Sequence, residues 1–156
     1  MTALEETEEV FSIFHDGSIS SWQGDKSLLR LEIDCPYLAE RLDKSYDHFY
    51  IELVNVRTIE LQPWKNPIAA DPIIVKELNE IFEGDLEILS AESSNETVVV
   101  TCQQWNTKLD YRGATLIVGC EQIRIYDQSN KELSLDRLQD ICKDYWEDWS
   151  KETENQ

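Results

Sequence analysis

The chain has 156 residues, of which 32 are acidic and 14 basic, giving a formal charge of −18 at neutral pH and a pI near 4.3. A charge of that sign excludes nonspecific nucleic-acid binding and bulk-charge attachment to anionic membranes, since both need positive surfaces. The length suits one domain over residues 1–156, with frayed ends expected near 1–6 and 152–156, and the 41% of hydrophobic residues suffices for a core without staples.

Met1 to Val10 carries four glutamates and no base, the opposite of the start of a secretory leader. Apolar runs such as Val98-Val99-Val100 fall far short of the roughly 20 residues a membrane helix requires. Leu4 to Phe14 scatters Val10, Phe11, Ile13 and Phe14 among polar residues, enough for a short helix leading into a strand. Asp16-Gly17 punctuates the first strand. Ile19 to Gln23 and the alternating Leu29, Leu31 and Ile33 flank Gly24-Asp25 and read as a hairpin. Pro36 stops the second strand, and Tyr37, Leu38 and Leu42 fit one turn of helix. Phe49 to Leu61 alternates again, over a length that calls for a bend or bulge near Asn55 to Arg57.

Gln62 to Pro72 is a loop with three prolines around Trp64. Asp71 as N-cap and Pro72 at the first helical position then predict a helix over 72–83. Ile74, Val75, Leu78, Ile81 and Phe82 recur there at helical spacing, and Gly84 ends it. Three or four strands follow: Leu86 to Ser90, Thr97 to Trp105, Ala114 to Val118 and Gln122 to Tyr126. Asn106 to Gly113 is turn-like, and Gly119 is a turn or bulge. Ser134 caps a last helix over 134–151, whose apolar stripe runs through Leu138, Ile141, Tyr145, Trp146 and Trp149. The expected class is α+β: a mostly antiparallel, twisted sheet with two principal helices, about 72–83 and 134–151, on one face or at its ends.

Motifs that carry chemistry are sparse. Cys35, Cys102, Cys120 and Cys142 form no Cys-x-x-Cys pair and have only His15 and His48 to help them, so no metal site is expected and reduced thiols in a cytoplasm are. Neither a Gly-rich phosphate loop, nor a calcium loop, nor a nucleophile elbow is present, so no cofactor and no catalytic residue is assigned. His15-Asp16 is half of an acid–base pair or simply the start of a turn. Trp64, flanked by Pro63 and Pro67, is a lid over the sheet or an exposed contact, with the lid favoured. Tyr111 and Arg112 join His15 and Asp16 as candidate lining of a pocket. Acids cluster in the first ten residues, between Glu77 and Glu96, and along the last helix. They serve solubility, or they form a face that captures a basic partner.

The run Phe14-His15-Asp16-Gly17-Ser18-Ile19, followed by the alternating Leu29, Leu31 and Ile33, resembles the opening of small uncharacterised bacterial domains, some of immunity type that neutralise a toxin. The resemblance covers about the first third of the chain and implies an α+β cytoplasmic protein without catalysis. The leading expectation is therefore a non-enzymatic acidic protein that binds another protein, such as a basic toxin or nuclease domain. One alternative is a small-molecule-binding or enzymatic domain with a pocket between sheet and helix. The other is a homo-oligomeric assembly subunit that pairs through an edge strand or the last helix.

Overall fold

The computed structural model describes residues 1–64 and 73–154. In chain order the elements are α1 (Ala3–Ile13), β1 (Ser18–Gly24), β2 (Leu28–Asp34), α2 (Pro36–Ala39), β3 (His48–Pro63), α3 (Leu78–Ile81), β4 (Leu86–Ser94), β5 (Thr97–Gln104), β6 (Gly113–Tyr126), β7 (Glu132–Leu133) and α4 (Leu135–Glu154). The fold is α+β with an antiparallel sheet, as the alternating patterns and short connections dictate.

Six of the strands close into a ring. β1 pairs with β2, β2 with β3, β3 with β6, β6 with β5, β5 with β4, and β4 returns to β1. The last closure is thin, because only Ser18 and Ile19 pair with Glu87 and Leu86. β7 adds two residues to the end of β6. β3 and β6 form the long spine, in register from Tyr50 opposite Tyr126 to Pro63 opposite Ala114. Their register slips between Val56 and Thr58, where Asn55 adopts a φ of 49°, so the bulge falls where the strand was too long to run straight. Gly119 lies opposite Thr58, inside a β6 that runs unbroken through both of its expected halves.

Alternate residues fill the ring. Leu29, Leu31, Ile33, Phe49, Ile51, Leu53, Leu61, Leu86, Ile88, Val98, Val100 and Leu116 are all fully buried. α1 inserts against them. Thr2 starts the helix, its Oγ1 accepting a hydrogen bond from the Glu5 amide at 3.2 Å, and Val10, Phe11 and Phe14 are fully buried on its inner side. The Phe14 ring lies 5.1 Å from that of Phe49. The helix begins within the stretch that composition marks for fraying. Its other flank covers the edge of β4 that β1 leaves open. The Ser93 amide donates to Glu8 at 2.8 Å, Ser12 Oγ donates to the Ala91 carbonyl at 3.3 Å, and the Asp16 amide donates to the Ile88 carbonyl at 2.7 Å. An uncovered edge would invite strand pairing, and α1 removes most of it.

The helix predicted over 72–83 is corrected. Pro72 and its cap Asp71 lie outside the described residues, and the helix proper is only α3. Val75 instead exchanges two backbone hydrogen bonds with Leu61, at 2.9 and 2.8 Å, as an added bridge on β3. Pairing on the spine satisfies the backbone there, so helical spacing alone misleads. The two substantial helices are α1 and α4. α4 is capped by Ser134, whose Oγ accepts from the Arg137 amide at 3.1 Å, and it buries Leu138 and Ile141 against the rest.

Candidate interaction surface

The sequence-derived candidates fall in two places. His15 and Asp16 form the corner between α1 and β1. Asp16 adopts a φ of 68°, so the chain reverses there. The His15 ring stacks on Trp146 at 5.4 Å and 17°, with Nδ1 2.9 Å from the Ser12 carbonyl, and Tyr37 donates its hydroxyl to the His15 carbonyl at 2.6 Å. Tyr37 in turn meets Tyr145 at 4.7 Å. This corner is where the C-terminal half of α4 docks. Stacking and hydrogen bonding hold His15 in place, and its ring forms no recorded hydrogen bond to Asp16.

Trp64, Tyr111 and Arg112 gather elsewhere: Tyr111 and Arg112 end the loop between β5 and β6, and Trp64, just past the end of β3, meets Gly113 beside them. The Trp64 ring lies flat on Gly113, where any side chain would run into it, and its Nε1 donates to Thr115 Oγ1 at 2.9 Å. It covers the strand and still leaves half of its surface exposed. Arg112 turns its guanidinium inward, toward the carbonyls of Asn106 at 3.1 Å and Tyr111 at 2.9 Å. Beneath the loop, Gln104 is fully buried. Its Oε1 accepts from the amides of Asp85 and Asn106, and its Nε2 donates to the carbonyls of Tyr111 and Asn106. The structure thus does not bring His15 and Asp16 together with Tyr111 and Arg112 as one lining.

A second polar constellation was not visible in the sequence. On the outer face of β2, β3 and β6, Arg30 bridges to Glu52 at 3.0 Å and sits over the rings of Tyr50 at 4.2 Å and Tyr126 at 5.2 Å. Glu52 also accepts the Tyr126 hydroxyl at 2.9 Å, and Asn130 accepts from Arg30. His48 contacts Asp47 at 2.6 Å, the Tyr50 hydroxyl at 3.1 Å and Glu32 at 3.6 Å. Arg30, Glu32, Tyr50, Glu52 and Asn130 border a 440 Å³ cleft, with Trp22 also in its lining. The signal in the sequence was the outward set of the alternation (Arg30, Glu32, Tyr50, Glu52), but only the register puts them side by side. Glu52 and Arg30 spend their charge on each other and on their neighbours, which makes this a fastening across strands.

Asp34, at the edge of that cluster, has its carboxyl pushed above the usual carboxylate range by burial first and by Glu32 next. A folded value above the unfolded one means that the group favours folding at pH values below the ordinary carboxylate range and loses that contribution as pH rises through the raised value. Asp34→Asn is therefore expected to raise the melting temperature at pH 7, with the gain fading as pH falls through the raised value and gone below about pH 4; thermal unfolding across that range checks it, and a loss of stability at pH 7 would contradict it.

A 250 Å³ cleft opens between the start of α1 and the β3–β6 bulge, lined by Thr7, Arg57, Glu96 and Cys120. Burial raises the Cys120 thiol, and it pushes Cys35 and Cys102 up to about 12. A protonated thiol is a poor nucleophile. All four cysteines are unpaired, and among the described residues no group of three or more His, Cys, Asp or Glu side chains is arranged to hold a metal. Nor is any described helix long and apolar enough to cross a membrane.

The charge is distributed asymmetrically. Residues 1–14, 77–96 and 135–154 together hold 18 of the 32 acids and 3 of the 14 bases, while the rest of the chain holds 14 acids and 11 bases. The fold makes these three segments neighbours. α1 lies along β4 through the contacts given above, and Gln139 of α4 approaches Glu9 of α1 at 3.5 Å. Asp136, Asp140, Asp144, Glu147, Asp148 and Glu152 are exposed along α4, and Trp149 is half exposed among them. No protein family matches the chain, and neither does any curated protein or solved structure compared with it.

Proposed function

We propose that the protein is a non-enzymatic binding module that captures a basic protein partner on the acidic surface formed by α1, β4 and α4, in the manner of an immunity protein. The observation that carries this reading is the packing of three acid-rich segments into one neighbourhood, with near balance elsewhere. Like charges held together cost stability, so a fold that juxtaposes them builds a directional field rather than a uniformly soluble exterior. Trp149 supplies a large, rigid apolar contact at the edge of that field, the kind of group that anchors interfaces. The raised thiols and the self-satisfied polar clusters give no support to a reactive pocket.

The test is affinity capture on the immobilised chain, followed by titration of each retained protein in purified form. We expect a basic partner whose Kd weakens at least about tenfold between about 50 mM and about 500 mM salt. Asp140→Lys combined with Asp144→Lys, both on exposed positions, should weaken it about tenfold again at low salt. An affinity indifferent to salt and to this double reversal would remove the electrostatic basis of the reading.

A further inference from the structure

The seam of the ring leaves one strand edge unused. β1 follows β4 only through Ser18 and Ile19, then bulges at Ser20 and diverges. Beyond the bulge, the direction of each backbone group follows from the hairpin register. The Asp25 amide donates to the Leu28 carbonyl at 3.2 Å, so Gln23 and Ser21 exchange hydrogen bonds with Arg30 and Glu32. The next strand confirms the phase, since the Asn55 amide donates to the Ser27 carbonyl at 2.9 Å, which assigns the odd residues of β2 to β3. Trp22 and Gly24 must then direct their amides and carbonyls away from β2, toward the open side. Among the described residues no backbone partner is recorded for them there. Each offers one donor and one acceptor.

The surroundings of this edge favour one kind of occupant. Across the seam, Glu87 lies opposite Ser18, and the chain leading up to it, which brings Phe82 against Trp22, carries Glu83 and Asp85; no base occurs between residues 77 and 96, and Glu32 pairs with Ser21. Lys26, in the hairpin turn, is the nearest base along the chain. Three aromatic side chains flank the gap: the Trp22 ring lies 6.2 Å from Phe82 on the inner side, and the half-exposed Trp105 donates its Nε1 to Glu87 at 2.8 Å. A second copy of this chain would bring a net −18 to the same edge and be repelled. We infer that the open edge of β1 at Trp22 and Gly24 accepts an extended, lysine- or arginine-bearing segment of the partner as an added strand. Main-chain hydrogen bonds would supply attachment, alternate basic side chains would reach the acids on either side, and apolar ones would lie against Trp22 and Phe82.

This inference rests on the acidic-surface reading, and the experiment separates the two. The probe is a short blocked peptide alternating lysine and valine, with a glutamate–valine peptide as control, titrated into the full chain while amide chemical shifts and hydrogen exchange are followed. We expect the basic peptide alone to protect the Trp22 and Gly24 amides, and Glu83→Lys with Asp85→Lys to weaken its binding about tenfold. Salt-sensitive binding that perturbs only α1 and α4 overturns the edge inference and leaves the acidic surface standing. Equal protection by both peptides overturns the basic occupant. Protection that rises with protein concentration in the absence of peptide assigns the edge to a second copy and overturns it likewise. Binding of neither peptide also overturns the edge inference, while the salt titration of a captured folded partner judges the broader reading on its own.

Discussion

Replacing Phe14 with alanine will lower the folding stability by about 3–5 kcal/mol, the range for removing a fully buried phenylalanine. Phe14 is completely enclosed, at the end of α1 and against Phe49 on the spine. The site has little freedom to collapse. One wall is β3, fixed by pairing with both β2 and β6, and the other is the corner at Asp16, tied to the Ile88 carbonyl. The vacated volume would remain as a cavity, so the loss should lie toward the upper part of that range. Since small domains are stable by only about 5–15 kcal/mol, this is a large share of the total. Urea titration should show the midpoint fall with the slope unchanged. A variant within about 1 kcal/mol of the parent would mean that α1 is not held in the ring as described.

Gln104→Leu will be nearly as damaging, for a different reason. The leucine is apolar and of similar volume, so packing is roughly preserved. What disappears is a fully buried amide that serves two backbone donors and two backbone carbonyls at once. Leaving buried groups unpaired costs about 1–3 kcal/mol each when water cannot reach them. The turn before β4 and the loop before β6 will partly open to recover solvation, so the net loss should be about 2–4 kcal/mol. Thermal unfolding gives the magnitude. Faster amide exchange at Asp85 and Asn106, with little change at α4, gives the location. A uniform destabilisation with no local change there would argue against Gln104 as the organiser of both segments.

Much of the fold was legible because period-two alternation is written directly into the chain. Leu29-x-Leu31-x-Ile33 and Phe49-x-Ile51-x-Leu53 announce strands with one buried face, and an overlong run near Asn55 announces its own bulge. Ser134 marks the start of α4 for an equally local reason. Failures arose where tertiary pairing decides. Val75 sits at a helical position in the sequence and at a strand position in the fold, because the open flank of Leu61 offers it two backbone hydrogen bonds. α1 becomes a full helix through burial of Val10, Phe11 and Phe14, which its modest sequence pattern understated. The surface was legible only in part. Acid-rich segments could be counted along the chain, but their adjacency depends on α1 lying along β4. The open backbone of β1 depends on a bulge and a phase that no side chain encodes.

The long spine also shapes how the chain must assemble. On its β6 side, Tyr50 to Pro63 waits for Ala114 to Tyr126, and the first strand meets Leu86 and Glu87 across the whole of the intervening hairpins. Such high contact order makes the folding nucleus dear in loop entropy and slow to form. On a ribosome the first two hairpin strands and half of the spine would emerge with an apolar face unsheltered until the later strands are made. The four glutamates of α1, charged whether or not the helix has formed, would then act as gatekeepers, holding nascent copies apart while the circle is still open.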